Sequence, residues 1–277
     1  MQCPSPISIK DPNGQHNWQR IQVPCGKCGA CKHNRRADWS FRLQQELRDA
    51  ESALFLTLTY SDENLPFTEH GEITLRKKDT QLFMKRLRKE HSKHSDAKIR
   101  YYTVGEYGTN TKRPHYHSII FNLTVETLNK MDTIWQHGHH HIGTISPASI
   151  HYVTKYHVNP NHYPDDIEPE FATMSRNPGI GYNYIKRAKK WHRENGYHYV
   201  INNGFKQRLP EYYAKKIFTD YERQLRAEKL PEELDKAYEQ EFNRLKRLKI
   251  ADPDHNIFRS QVYQAEKLSK DNKSNLF

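Results

Sequence analysis

The chain has 277 residues, with 44 Lys and Arg against 33 Asp and Glu, a net charge of +11 and a pI of about 9.3. That balance favours a polyanionic partner, most simply nucleic acid. No run is long and apolar enough to span a membrane, and the opening "MQCPSPISIK" lacks the apolar core of a signal peptide. The expected setting is therefore the cytosol, without a membrane partner and with the four cysteines reduced.

The first element is "PCGKCGACK", which spaces Cys25, Cys28 and Cys31 by equal two-residue gaps. A turn on Gly26 and Gly29 lets these thiolates converge. Cys3 supplies a fourth ligand if the N-terminal segment folds back. Four thiolates suit a tetrahedral, structural Zn²⁺ that braces the N-terminus. The ferredoxin-type run needs a further Cys before Pro, which is absent.

"HNRRADWSFRLQQELRDAE" then reads as a helix with Trp39, Leu43 and Leu47 on one stripe. Ala53–Tyr60, "ALFLTLTY", has the content of a buried strand. "LRKKDTQLFMKRLRKEH" is an amphipathic helix with Leu82, Phe83 and Leu87 inward and bases outward. Nine Lys/Arg stand against three acids between Arg76 and Lys98. Lys85, Arg86 and Arg88 are the candidate DNA contacts there.

"KIRYYTVGEYG" reads as a strand, "TNTKRP" as a turn, and "HYHSIIF" as its antiparallel partner. A helix is expected from Val125 to Gln136. "HGHHHIGTIS" reads as a polar strand near the DNA path, because no carboxylate or cysteine accompanies His137, His139, His140 and His141 in sequence. Ser146 caps a helix that begins at Pro147 and ends at Asn159-Pro160. "MSRNPGIGYNYI" is a Gly-hinged turn into a helix. "KRAKKWHR" interleaves bases with an aromatic residue, and Lys186, Arg187, Lys189 and Lys190 join the candidate DNA contacts. A hairpin is centred on Asn203-Gly204, and mostly charged helix follows Pro210. The fold class is α+β, an RRM-like antiparallel sheet with packed helices. The expected division is a Cys-rich segment over 1–35, a core domain over 36–209 and a helical extension over 210–277.

His115 and His117, in "RPHYHSIIF", fall on one face of their strand, and Tyr116 falls on the other. Glu106 lies on the adjoining strand, near the bend. Two imidazoles and one carboxylate leave open positions on a divalent cation such as Mg²⁺ or Mn²⁺, as metal-assisted phosphodiester chemistry needs. Tyr152 and Tyr156, in "YVTKY", stand four residues apart and share a helix face, with Lys155 beside them to meet a phosphate or a leaving oxygen. Tyr182 and Tyr184 are two apart and point to different sides.

The segments "FLTLTY", "FMKRLRK", "GEYG…RPHYHSIIF", "YVTKY", "FATMSRNPGIG" and "PCGKCGAC" together resemble the HUH endonuclease superfamily. In detail they resemble the replication initiators of small single-stranded DNA phages of the Microviridae, above all the gokushovirus group. The resemblance runs from the N-terminus to about Gly181. It implies an HUH endonuclease fold over 36–209 and a nickase–ligase that starts and ends rolling-circle replication. His115, His117 and Glu106 would hold the catalytic metal, and Tyr152 and Tyr156 would be the nucleophiles. Cys3, Cys25, Cys28 and Cys31 would form an N-terminal metal knot. A 5′-phosphotyrosyl link would leave a free 3′-hydroxyl for the host polymerase, with a host helicase as a further partner, in the cytoplasm of the host bacterium. The rivals are a relaxase or transposase of the same chemistry, and a zinc-braced nucleic-acid-binding protein without catalysis.

Overall fold

The computed structural model describes residues 3–11, 14, 18–156, 163–202, 204–260 and 263, without the side chains of 155, 156 and 205. In chain order its elements are β1 (Ile7–Lys10), β2 (Arg20–Val23), α1 (Gly29–Asp49), β3 (Ala53–Tyr60), α2 (Lys77–His91), β4 (Arg100–Tyr107) and β5 (Pro114–Phe121). Then come α3 (Val125–Leu128), α4 (Met131–Ile134), β6 (Gly138–Gly143), α5 (Pro147–Tyr156), β7 (Phe171–Met174) and α6 (Asn183–Asn195). The last are β8 (Tyr199–Asn202), β9 (Phe205–Arg208), α7 (Glu211–Ile217) and α8 (Asp220–Arg247). The fold is α+β, as expected. The chain groups into two compact units, 39–187 and a second formed by 1–38 with 188–277. Residues 188–209, read on sequence as part of the core domain, group with the N-terminal 38 residues.

The first unit is built on a five-stranded sheet in the order β6-β3-β5-β4-β7, with every neighbouring pair antiparallel. The alternation in "ALFLTLTY" sends Leu54, Leu56, Leu58 and Tyr60 to one face. There they meet Tyr116 and Ile120 of β5, Phe83, Met84 and Leu87 of α2, and Met131, Ile134 and Trp135 at α4. Tyr102 and Val104 of β4, and Ile119 and Phe121 of β5, face the other way. That second layer is closed by Leu43 of α1 and by Ile150 and Val153 of α5. Gly105 permits the β4–β7 pairing, since a Cβ there would lie 2.9 Å from the Phe171 ring.

Several elements differ from the sequence reading. α1 begins at Gly29, so Cys31 sits in its first turn. Leu82, expected inward, is exposed on α2, and the buried positions are Asp79, Thr80, Phe83, Met84, Leu87 and His91. The helix expected over Val125–Gln136 is two short helices, α3 and α4, separated at Asn129 and Lys130. "FATM", read as part of a turn, is the edge strand β7. β1 and β2 form a hairpin that the sequence reading did not contain. The Asn159-Pro160 break and Asn203 lie outside the described residues.

In the second unit, the β1–β2 hairpin returns the chain from the neighbourhood of Cys3 to Cys25. Arg208 of β9 pairs with Asp38 at 2.6 Å. α8 starts at a capping box, in which Thr219 and Glu222 each bond the other's backbone N–H. No helix among the described residues is long and apolar enough to cross a membrane.

The core assignment is testable by chemical denaturation. Leu56→Ala, at a fully buried position, is expected to cost about 2–5 kcal/mol. Leu82→Ala, on the open side of α2, should stay within about 0.5 kcal/mol of the parent.

Candidate functional site

The site follows from strand register. β4 and β5 pair so that Glu106 stands opposite His115 and Val104 opposite His117. β3 flanks β5 on the other side, with Thr59 opposite His115 and Thr57 opposite His117. Pleating therefore puts Glu106, His115 and His117 on one face, and one ligand atom of each lies within 4.8 Å of the others.

The contacts show which nitrogen each imidazole offers. His115 donates its Nδ1–H to the Arg113 carbonyl at 3.1 Å, which leaves Nε2 2.7 Å from Glu106 Oε1. His117 shares a hydrogen bond through Nδ1 with Thr57 Oγ1 at 2.9 Å and points Nε2 at Glu106 Oε1 from 3.2 Å. A carbonyl only accepts, so the Nδ1 proton of His115 is assigned. Its Nε2 then needs a proton or a cation to face a carboxylate. Binding through the second nitrogen in this way orients metal-ligating histidines. Phe55 stacks on the His117 ring, with centroids 5.4 Å apart.

Burial pushes the Glu106 carboxyl up, but hydrogen bonds from His115 and His117 outweigh it and hold the group at about 2. For His115, burial opposes the charged form, yet the bond to Glu106 and its charge raise the pKa above the usual imidazole value. Glu106 Oε2 is buried without a hydrogen-bond partner. An orphaned carboxylate oxygen beside two inward imidazole nitrogens is a donor set that fits a divalent cation. A second acid lies nearby, because burial and the charge of Glu106 lift the Glu170 carboxyl to about 7.

α5 brings the tyrosine. Ser146 Oγ accepts from the backbone N–H of Ser149 at 3.1 Å, as expected of its cap. Ile150 and Val153 then seat the helix on the sheet, and Thr154 meets Ser40 of α1 at 3.2 Å. Tyr152 consequently stands edge-on to His117, with centroids 5.0 Å apart, and donates its hydroxyl to Glu106 Oε1 at 2.8 Å. Tyr156 and Lys155 continue the same helix, and their side chains lie outside the described residues. Tyr184 packs edge-on against Phe41, and Tyr182 lies beneath Lys186.

The four cysteines also converge, with their sulfurs within 4.8 Å of one another. Cys3 and Cys28 are 3.7 Å apart, and four sulfurs at about 2.3 Å from a tetrahedral zinc would have edges of about 3.8 Å. Backbone N–H groups of Lys27 and Cys28 point at Cys25 Sγ and lower its thiol to about 6, which favours the thiolate. Gly26 makes the turn at φ +74°, a conformation that side chains disfavour.

The candidate DNA contacts have separate fates. Lys85, Arg88, Lys186, Lys189 and Lys190 are exposed, with Lys190 3.7 Å from Glu194. Arg86 instead turns inward and donates to the Ile134 carbonyl at 2.8 Å. Arg187 is held by Asp49 and Gln45. The histidine strand does have carboxylate neighbours in space: His140 lies 3.1 Å from Asp132, and His137 lies 4.0 Å from Asp79.

Sequence reasoning missed Thr57. Its signal was present, because "FLTLTY" sends Thr57 and Thr59 to the face opposite the leucines. Thr57→Val removes the hydrogen bond that orients His117. Mn²⁺ affinity, followed by calorimetry, should fall by about 10- to 100-fold. Affinity of the parent chain should also weaken from about pH 8 to about pH 6, because the raised His115 must lose a proton before it can ligate.

Residues 53–161 match the family model of the Replication-associated protein ORF2 type. The chain is 28% identical over 221 residues to the Replication-associated protein ORF2 of Spiroplasma virus 4, covering 72% of this chain and 69% of that protein. It is 29% identical over 212 residues to the Replication-associated protein VP4 of Bdellovibrio phage phiMH2K, covering 69% and 65%. With the Replication-associated protein ORF4 of Chlamydia phage 1 it shares 26% identity over 237 residues, covering 75% of this chain and 57% of that protein. The matched region thus spans about two thirds of the first two relatives and less of the third. No solved structure matches the chain. The family match runs from β3 to the end of α5 and contains Thr57, Glu106, His115, His117 and Tyr152, and through this segment the chain belongs to the Replication-associated protein ORF2 family.

Proposed function

We propose that the chain is a phage replication initiator of the HUH type, which nicks and rejoins single-stranded DNA through a tyrosyl–phosphate link. One observation carries this reading: the Tyr152 hydroxyl is donated to Glu106 at 2.8 Å, and the same carboxylate oxygen faces His115 and His117. A nucleophile thus adjoins a donor set suited to a divalent cation. The three relatives named as replication-associated proteins support the same role.

His115 Nε2, His117 Nε2 and the Glu106 carboxylate would hold Mg²⁺ or Mn²⁺. The bound ion would supply Lewis-acid polarisation of the scissile phosphate. Thr57 and the Arg113 carbonyl hold the imidazoles in the ligating orientation. α5 presents Tyr152 Oη towards the same point. In the nicking step Oη bonds to phosphorus and the phosphorus–O3′ bond breaks. The phenolic proton ends on O3′, which leaves a 3′-hydroxyl and a 5′-phosphotyrosine. The ester energy is retained, so joining is the same step in reverse, with a 3′-hydroxyl attacking the phosphotyrosine. Tyr156, one turn further along α5, is the proposed second nucleophile, with Lys155 meeting the phosphate. The free 3′-hydroxyl would prime a host polymerase in the bacterial cytoplasm, with a host helicase opening the duplex.

The test is covalent adduct formation with circular single-stranded phage DNA, read on a denaturing gel. Tyr152→Phe and Tyr156→Phe singly should retain some adduct, and the double variant should form none while still binding DNA. His115→Ala with His117→Ala should abolish the adduct and keep most of the binding. An adduct that persists in the double tyrosine variant would assign the chemistry to another residue.

The cysteine cluster is proposed to hold a structural Zn²⁺. Elemental analysis of reduced protein prepared without chelator should find about one zinc per chain, lost in the Cys25/Cys28 double Ser variant. Metal-free protein from the same preparation would contradict it.

A further inference from the structure

On the sheet face opposite the histidines, a groove of about 780 Å³ runs between α2, the loop after it and the edge strand β7. Its walls carry Lys77, Arg88, Lys98 and Arg176, and Asp96 is the acid among the lining residues. No ion pair among the described residues engages any of those four cations. The remaining lining cation, Arg100, is already committed. It pairs with Glu46 at 2.6 Å and donates to the Pro178 and Gly179 carbonyls.

The groove also offers rings. The Arg88 guanidinium lies 5.3 Å from the centroid of Tyr101, and the Lys77 ammonium lies 5.5 Å from that of Phe171. Its walls are held in place. Tyr101 and Ser175 exchange two hydrogen bonds, of 3.0 and 3.1 Å. His91 is buried beneath the loop, with Nε2 2.9 Å from the Ala97 carbonyl, next to Lys98. Glu168 is close to Lys77, but its carboxylate accepts from the backbone N–H there.

Cations outside any ion pair and a half-buried tyrosine in one concave surface match the needs of a strand whose bases are free to stack. We propose that this groove is a second binding site for single-stranded DNA, which holds a stretch of the strand away from the reacting phosphate. It gives a role to "TMSRN", the part of the "FATMSRNPGIG" segment that the catalytic reading leaves unused. The proposal rests on the reading of the chain as a handler of single-stranded DNA.

The test uses the full chain and a random-sequence single strand of about 20 nucleotides, a length above the site size of one binding fold. In the Arg88→Ser, Lys98→Ser, Arg176→Ser triple variant, affinity by fluorescence anisotropy should fall at least about 10-fold, and the salt slope should shrink by about 2, near 0.7 for each lost phosphate contact. A bromodeoxyuridine version of the same strand should photocrosslink to Tyr101 in the parent chain, a readout that does not need the variant to fold. Parental affinity and slope in the triple variant, or crosslinks confined to other segments, would overturn the proposal. So would loss of polyglutamate binding with DNA binding unchanged, which would assign the groove to an acidic protein. The catalytic reading fails separately, through absence of the covalent adduct in the parent chain.

Discussion

The arrangement depends on one buried charge. Glu106 has 3% of its side chain exposed, yet its carboxyl is held ionised at about 2. An ionised acid in that position is costly unless cations or donors surround it. The β4–β5 register supplies them, with His115 directly across and His117 one pleat further along. One sheet face is thereby divided along its strands. Its Tyr102, Ile119 and Phe121 end is apolar and seats α1 and α5. Its Glu106 and His115 end is polar and left for chemistry. Because Ile150 and Val153 dock α5 on the apolar end, Tyr152 reaches the polar end.

The opposite face anchors the sheet. Tyr60 donates to Asp79 at 2.8 Å and meets the Tyr116 hydroxyl at 2.7 Å, deep among Leu58, Phe83 and Trp135. Tyr116 is the residue between the two site histidines, so the same three-residue stretch serves both faces. A buried polar network whose members are paired in this way limits strand slippage, and a slip of one residue would turn both histidines into the core. At the β7 edge, Glu46 grips Arg100 and also accepts from the Gly181 N–H at 2.6 Å, which pins the glycine-rich loop.

Much of this was legible in the sequence because it lies in strong local patterns. "ALFLTLTY" and "HYHSIIF" alternate clearly, and "TNTKRP" marks the turn between β4 and β5, so the shared face of the histidines and Glu106 could be read directly. The four-residue strands β1, β2 and β7 are too short to carry a period, and "ISIK" and "RIQV" are largely exposed. Leu82 has the same apolarity as its neighbours, and only the packed sheet shows that Phe83 and Met84 take the inward places. Arg86 looked like an outward base, but a carbonyl from α4, distant in sequence, draws it inward. Thr57 was visible only once its partner strand was known. The grouping of 188–277 with the N-terminal residues rests on contacts between distant segments, which no window of sequence contains.

The most direct measurement is mass spectrometry of the peptide left attached to DNA after nuclease and protease digestion of the trapped complex. A phosphonucleotide mass on the α5 peptide, at Tyr152 or Tyr156, is the result that a nucleophile beside Glu106 predicts. A modification on Tyr182 or Tyr184, or a digest without any nucleotide-bearing peptide, would contradict the account.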